Sequence, residues 1–210
     1  METFVHPMRD LYDKKYYPIV DENSKILILG SFPSKHKDDI EADYFYYGSD
    51  RNRFWHYIVR LFVEPYNKSP SYCYSEIEAG KEIDEYIKKM NPEEKAALLK
   101  MNSIALWDIV DVCNSSTEKW PTDDTHIQPL EFNKIPELLE KYKRIEKVFF
   151  TGNEKIKIKK NMAKKIKLEC REEIIVDHLY SPALRSINKV KCGPEKHFEN
   201  WQKLLKPLDK

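Results

Sequence analysis

Apolar positions along the chain fall into two periodicities. Short runs (Ile26-Leu27-Ile28-Leu29, Ile104-Ala105-Leu106-Trp107 within one strand over 103–110, Val148-Phe149-Phe150 and Ile174-Ile175-Val176) are each closed by polar or turn-forming residues. Runs of that length and boundary suit buried β-strands. Between them, apolar residues recur at helical spacing. Phe54, Trp55, Ile58, Val59 and Phe62 mark a helix over 52–63, and Phe198, Trp201, Leu204 and Leu205 mark another over 195–206. Helices are also predicted over 76–86, from Pro92 to Leu99, over 135–142 and over 155–167. Residues 1–24, with scattered aromatics, Pro7 and Pro18, read as a segment laid over the core, and its His6 as structural. Residues 114–133 are polar enough to read as a long loop.

Strands alternating with helices imply an α/β fold: a central four-stranded, mainly parallel sheet in a three-layer α/β/α arrangement, as a single domain over 1–210. Such sheets bind ligands just beyond the carboxyl ends of their strands. Here those ends feed Gly30-Ser31-Phe32-Pro33-Ser34, Trp107-Asp108, Thr151-Gly152-Asn153 and the segment Asp177–Arg185.

Composition narrows the class. With 41% hydrophobic and 34% charged residues the chain reads as a globular protein. No run approaches the roughly 18 apolar residues of a membrane span, and the first residues lack the pattern of a secretory signal. A cytoplasmic protein without membrane contact is expected. Cys73, Cys113, Cys170 and Cys192 are irregularly spaced, with no C-x-x-C pair and no His/Asp/Glu cluster at ligand spacing. Reduced thiols, no metal and no cofactor are the expectation. The net charge of +1 hides an asymmetry: residues 1–140 hold 17 Lys+Arg against 26 Asp+Glu, residues 141–210 hold 19 against 9. Such a division suits either contact with nucleic acid or an ordinary lysine-rich surface.

The stretch from Tyr44 to Trp55 carries more. It packs Tyr44, Phe45, Tyr46, Tyr47, Phe54 and Trp55 around Arg51, Asn52 and Arg53. Flat rings beside an amide and guanidinium groups suit a stacked base, a placed water and a held phosphate, or else an aromatic loop that completes the core. Asn52 falls at a helix start, where backbone N–H groups tolerate an anion. Asp108 suits either a base-reading residue or a buried carboxylate capping a turn.

The order strand, GSFPS, spacer, YYGSDRNRFW resembles the uracil-DNA glycosylase superfamily, closest to its hypoxanthine (deoxyinosine) branch, whose pattern runs GSMPG and then YY-G-H-P-R-N-x-F-W. Gly30, Ser31, Pro33, Tyr46, Tyr47, Gly48, Arg51, Asn52, Phe54 and Trp55 match. Tyr180-Ser181-Pro182-Ala183 resembles the S-T-S-P-A of that branch, with Tyr180 in place of a small hydroxyl residue. Two further departures are Ser34 for glycine and Ser49-Asp50 for His-Pro.

The resemblance implies a monofunctional DNA glycosylase that flips out and excises a deaminated base, uracil or hypoxanthine, acting as a monomer on DNA. Asn52 would be the catalytic residue that orients water. Gly30, Ser31, Phe32, Tyr47 and Asp108 would bind the base. Ser34, Arg51, Ser181, Pro182 and Arg185 would hold the DNA backbone. The alternative is a non-catalytic nucleic-acid-binding protein of the same fold. An α/β hydrolase or P-loop protein is disfavoured, since neither G-x-S-x-G nor a P-loop occurs.

Overall fold

Strand β2 (Ile26–Gly30) is apolar along its whole length, and every residue of it is buried. A strand covered on both faces belongs inside a parallel sheet. It lies there, flanked by β3 (Ile104–Asp108) and β6 (Lys147–Thr151), with β7 (Ile175–Leu179) beyond β6. All three pairings are parallel. This is a computed structural model, describing residues 2–11, 15–33, 45–48, 52–67, 77–117, 119–121, 123–189 and 193–205.

The helices are α1 (Pro7–Leu11), α2 (Phe54–Phe62), α3 (Ile77–Lys89), α4 (Pro92–Met101), α5 (Ile135–Lys141), α6 (Lys157–Glu169), α7 (Leu184–Lys189) and α8 (Gly193–Leu205). Helix α2 packs on α3 and α8, α7 packs on α8, and α5 packs on α6. Together with the four-stranded sheet they make the expected three-layer α/β/α fold. Helix α4 starts where a capping box predicts: the Asn91 side chain accepts from Glu94 N–H, and the Glu94 carboxylate accepts from Asn91 N–H.

The polar stretch 114–133 is a loop only in its middle, and strands form at both its ends. Strands β4 (Val110–Ser115) and β5 (Ile127–Phe132) pair antiparallel, and β1 (Thr3–Val5) joins the far side of β4, giving a second, three-stranded sheet in the order β1-β4-β5. The run read as one strand over 103–110 breaks at Ile109. The Gly30 and Ser31 carbonyls accept from Ile109 N–H and Val110 N–H, which turns the chain out of one sheet and into the other. The segment over 1–24 therefore contributes a strand as well as covering the core.

Strand order β3-β2-β6-β7 has one topological consequence. The chain leaves β2 toward β3 on one side and later returns to β6 on the other. The switch point lies between the loops after β2 and β6, where doubly wound sheets hold their ligands.

Candidate functional site

Three residues meet beside that switch point, at the carboxyl ends of β2 and β3. A Cβ on Gly30 would stand 2.0 Å from Asp108 Oδ1 and 2.5 Å from the Tyr47 hydroxyl, so only glycine permits this approach. The Tyr47 hydroxyl pairs with Thr151 Oγ1 at 3.1 Å, spanning from the β2 loop to the end of β6. Tyr47 has φ +57°, a strained backbone for a ring-bearing residue, and its ring lies flat on Phe54 with centroids 4.5 Å apart and planes 15° apart. The side chain is thus fixed at both ends, with one face of the ring taken by Phe54.

Asp108 is 4% exposed at the end of β3. Its Oδ2 lies 2.7 Å from His6 Nε2, while His6 Nδ1 accepts from Met8 N–H. The Asp108 carbonyl accepts from the Asn133 amide, which also meets the Tyr17 hydroxyl. Tyr17 reaches Asp111, which holds Arg9 at 2.8 Å. Burial first, and the nearby Asp108 charge second for Tyr46 and Tyr47, push the hydroxyls of Tyr17, Tyr46 and Tyr47 upward, so all three stay protonated near neutrality. They serve as hydrogen-bonding groups and not as bases.

The opposite side of the loop cluster is built on backbone bonds. Asn52 forms an antiparallel bridge with Ala183, and Arg53 N–H donates to the Pro182 carbonyl at 2.8 Å. The Asn52 side-chain oxygen accepts from Phe54 N–H at 2.8 Å, fixing the amide at the entry to α2. Arg53 is committed to structure, because its guanidinium bridges to Asp84 on α3 at 3.0 Å. The loop after β7 is held from behind: Tyr180 N–H donates to Asn200 and its carbonyl accepts from the Trp201 indole. Ser181 lies against Gly152 after β6, its Cβ 3.5 Å from where a glycine Cβ would stand.

A buried lysine ties the two sheets together. Lys159, 2% exposed, donates to Asp124 at 2.6 Å and to the Thr151 carbonyl at 2.6 Å. Trp120 from the same β4–β5 connection donates to the Pro33 carbonyl and packs beside Phe32. The Phe32 ring is 8% exposed and sits edge-on to His6, which makes it part of the core.

The residues expected from the sequence thus divide. Gly30, Tyr47 and Asp108 come together directly; Ser31 and Phe32 extend from the same turn; Asn52 is joined to Ala183, beside Ser181 and Pro182, in the neighbouring loops. Ser34, Arg51 and the Arg185 side chain lie outside the described residues. Among the described residues no His/Cys/Asp/Glu group could hold a metal ion, and no helix is long and apolar enough to cross a membrane. His6, Thr151, Asp124 and Lys159 were not marked as site residues by the sequence. Each is a lone polar residue in an ordinary context, and only the fold brings them in.

No family model matches the chain. It is similar to a hypoxanthine DNA glycosylase of Methanosarcina barkeri, 30% identical over 135 residues, covering 64% of this chain and 68% of that protein. The chain belongs to the hypoxanthine/uracil branch of the uracil-DNA glycosylase superfamily. A hypoxanthine DNA glycosylase of Methanosarcina acetivorans is 29% identical over 140 residues, covering 66% of this chain and 71% of that protein. The solution structure of a candidate uracil DNA glycosylase from M. acetivorans shares the fold, with a TM-score of 0.57 and 21% identity over 89% of this chain and 94% of that one. Superfamily membership carries the enzyme class, that of DNA glycosylases, hydrolases of N-glycosyl bonds.

Proposed function

We propose that the chain excises a deaminated base, hypoxanthine or uracil, from DNA after flipping it into the cluster formed by Gly30, Tyr47 and Asp108. The reading rests on the meeting of those three residues beside the switch point, with Asn52 anchored next to them through Phe54. A base buried in the stack must be extruded before its glycosidic bond can be reached. Tyr47, rigid on Phe54, offers its remaining face for stacking, worth roughly 1–3 kcal/mol per base. The N–H groups of Ser31 and Phe32, on a turn whose Gly30 and Ser31 carbonyls are pinned, serve the base oxygen and the charge that develops on the leaving base.

In the reaction the C1′–N bond breaks, its electron pair leaves with the base, and the sugar gains oxocarbenium character. Water adds to C1′, and its proton ends on the base or in solvent. Asn52 orients that water. Its carbonyl oxygen has two acceptor sites and Phe54 N–H fills one, leaving the other for the nucleophile. An amide does not titrate near neutrality, so its contribution is positioning. Ser181 and Pro182, with Ser34, Arg51 and Arg185, hold the flanking phosphates.

A second reading, a DNA-binding protein without turnover, is favoured by one feature: the bond to Phe54 already gives Asn52 a helix-capping role. Purified protein incubated with duplexes containing uracil, hypoxanthine or xanthine separates the two. Alkali-labile sites from at least one duplex, with most of this lost in Asn52→Ala, are expected. No cleavage of any duplex together with retained DNA binding establishes the second reading.

A further inference from the structure

We propose that His6 is a positioning residue for base selectivity: it holds Asp108 as a pure hydrogen-bond acceptor beneath the base, so that the site takes rings whose edge carries the N–H created by deamination. This rests on the glycosylase reading.

The protonation pattern follows from geometry. His6 is 0% exposed, and its Nδ1 accepts from Met8 N–H at 3.2 Å, so Nδ1 carries no proton. The imidazole hydrogen must then be on Nε2, which donates to Asp108 Oδ2 at 2.7 Å. That leaves Asp108 with Oδ1. This oxygen lies against Gly30, 2.0 Å from where a Cβ would stand, and no hydrogen bond to it is formed among the described residues. The Asp108 side chain is 6% exposed. A nearly buried carboxylate oxygen lacking a donor, in a loop cluster beside the switch point, is an acceptor with an open position.

Deamination alters the base edge in the matching way. Adenine and cytosine present a bare ring nitrogen, N1 or N3, whose lone pair would oppose a carboxylate. Hypoxanthine and uracil carry a hydrogen there, beside a carbonyl that the Ser31 and Phe32 N–H groups can meet. Guanine and thymine also carry this N–H, so their exclusion lies with other groups. A site whose polar group must be matched rejects the unmatched analogue strongly, because the group is otherwise left unpaired. The carboxylate keeps its acceptor face toward the base only while Oδ2 is occupied. Among the described residues His6 is the side chain that does this, delivered by the junction between β1 and α1.

The test uses full-length protein, with His6→Leu to remove the donor and His6→Gln to replace it by a neutral donor of similar reach. The readouts are kcat/KM for hypoxanthine against adenine in otherwise identical duplexes, and binding of the free bases hypoxanthine and adenine by calorimetry. Loss of a hydrogen bond to a charged group should lower the hypoxanthine-to-adenine ratio roughly 10- to 100-fold in His6→Leu, with His6→Gln recovering most of it. A merely structural histidine would lower stability and both rates together without moving the ratio, and that result overturns the proposal. Nitrogen-15 spectra of wild-type histidines need no variant: an Nε2–H tautomer for His6 supports the assignment, and an Nδ1–H or doubly protonated ring overturns it. If wild-type protein excises no base at all, the glycosylase reading fails, while the free-base preference and its change in His6→Leu still decide this one.

Discussion

The two sides of the loop cluster are built in opposite ways. On the proposed base side, the side chains of Tyr47 and Asp108 close on Gly30 and His6 closes on Asp108, with Asp108 and His6 buried and Tyr47 partly so. On the proposed backbone side, Asn52 and Arg53 meet Pro182 and Ala183 through main-chain groups; Pro182 is buried and the other three stay half-exposed. A wall made of side chains cannot lose one without repacking, whereas a wall made of main-chain bonds keeps its shape when a side chain is trimmed. Stability and activity should therefore be coupled on the base side and separable on the other.

Four experiments press on that contrast. Asn52→Ala should lower kcat about 10²- to 10³-fold, as for loss of a positioned polar group in a reacting site. Its cost in stability should be only about 1 kcal/mol, that of a lost helix cap. Paired turnover and denaturant titrations give both numbers, and equal collapse of the two would erase the contrast. Gly30→Ala should do both kinds of damage. The new Cβ would fall 2.0 Å from Asp108 Oδ1, costing about 1–3 kcal/mol as overpacking and about 100-fold in rate as a displaced site. A wild-type melting curve with normal turnover would contradict the packing described here. Tyr47→Phe keeps the ring on Phe54 and removes the hydroxyl bound to Thr151, so roughly a tenfold loss in activity and about 1 kcal/mol in stability are expected.

The smallest effect is on acid stability. Burial lowers His56 in α2, His178 in β7 and His197 in α8, all on elements that carry the backbone side. A folded-state value below the unfolded one means the unfolded chain binds more protons in between, so stability rises with pH there. It is fully present above the ordinary histidine value near 6.5 and falls as pH drops through the lowered values. Thermal melts stepped from pH 8 to pH 5 should show a monotonic decline, and a melting temperature that rises toward pH 5 would reverse the assignment.

How much of this the sequence discloses depends on how strongly each residue is marked by its neighbours. Strands β2, β3 and β6 are buried along nearly their whole length, hence almost wholly apolar, and their runs stand out; β7, at the edge, is marked only by its short apolar start. Strands β4 and β5 alternate: Asn114, Gln128 and Glu131 read as loop residues, and Pro129 breaks a strand pattern further. Pairing across the connection 116–126, together with β1 from the far end of the sequence, makes them strands. At the site, Gly30, Tyr47 and Asn52 sit in a contiguous, unusual context and can be found in the text of the chain. His6 and Lys159 cannot, because a single histidine or one lysine within a lysine-rich helix acquires meaning only from what the fold sets beside it. Phe32 is legible as part of the GSFPS turn, but nothing in its neighbours along the chain foretells that His6 and Trp120 enclose its ring.

The pairing of Phe4 with Cys113 has a kinetic corollary. Joining segments so far apart in sequence carries a large loop-closure cost, and contacts of this kind form slowly. The central β2–β6 pairing spans a longer separation still, from Ile26 to Lys147, so both sheets must close distant loops, and His6 reaches Asp108 only once β1 has docked. On dilution from denaturant, helical signal should therefore return early, while the contact between the two ends of that long chain segment returns only with the slower closing of the sheets.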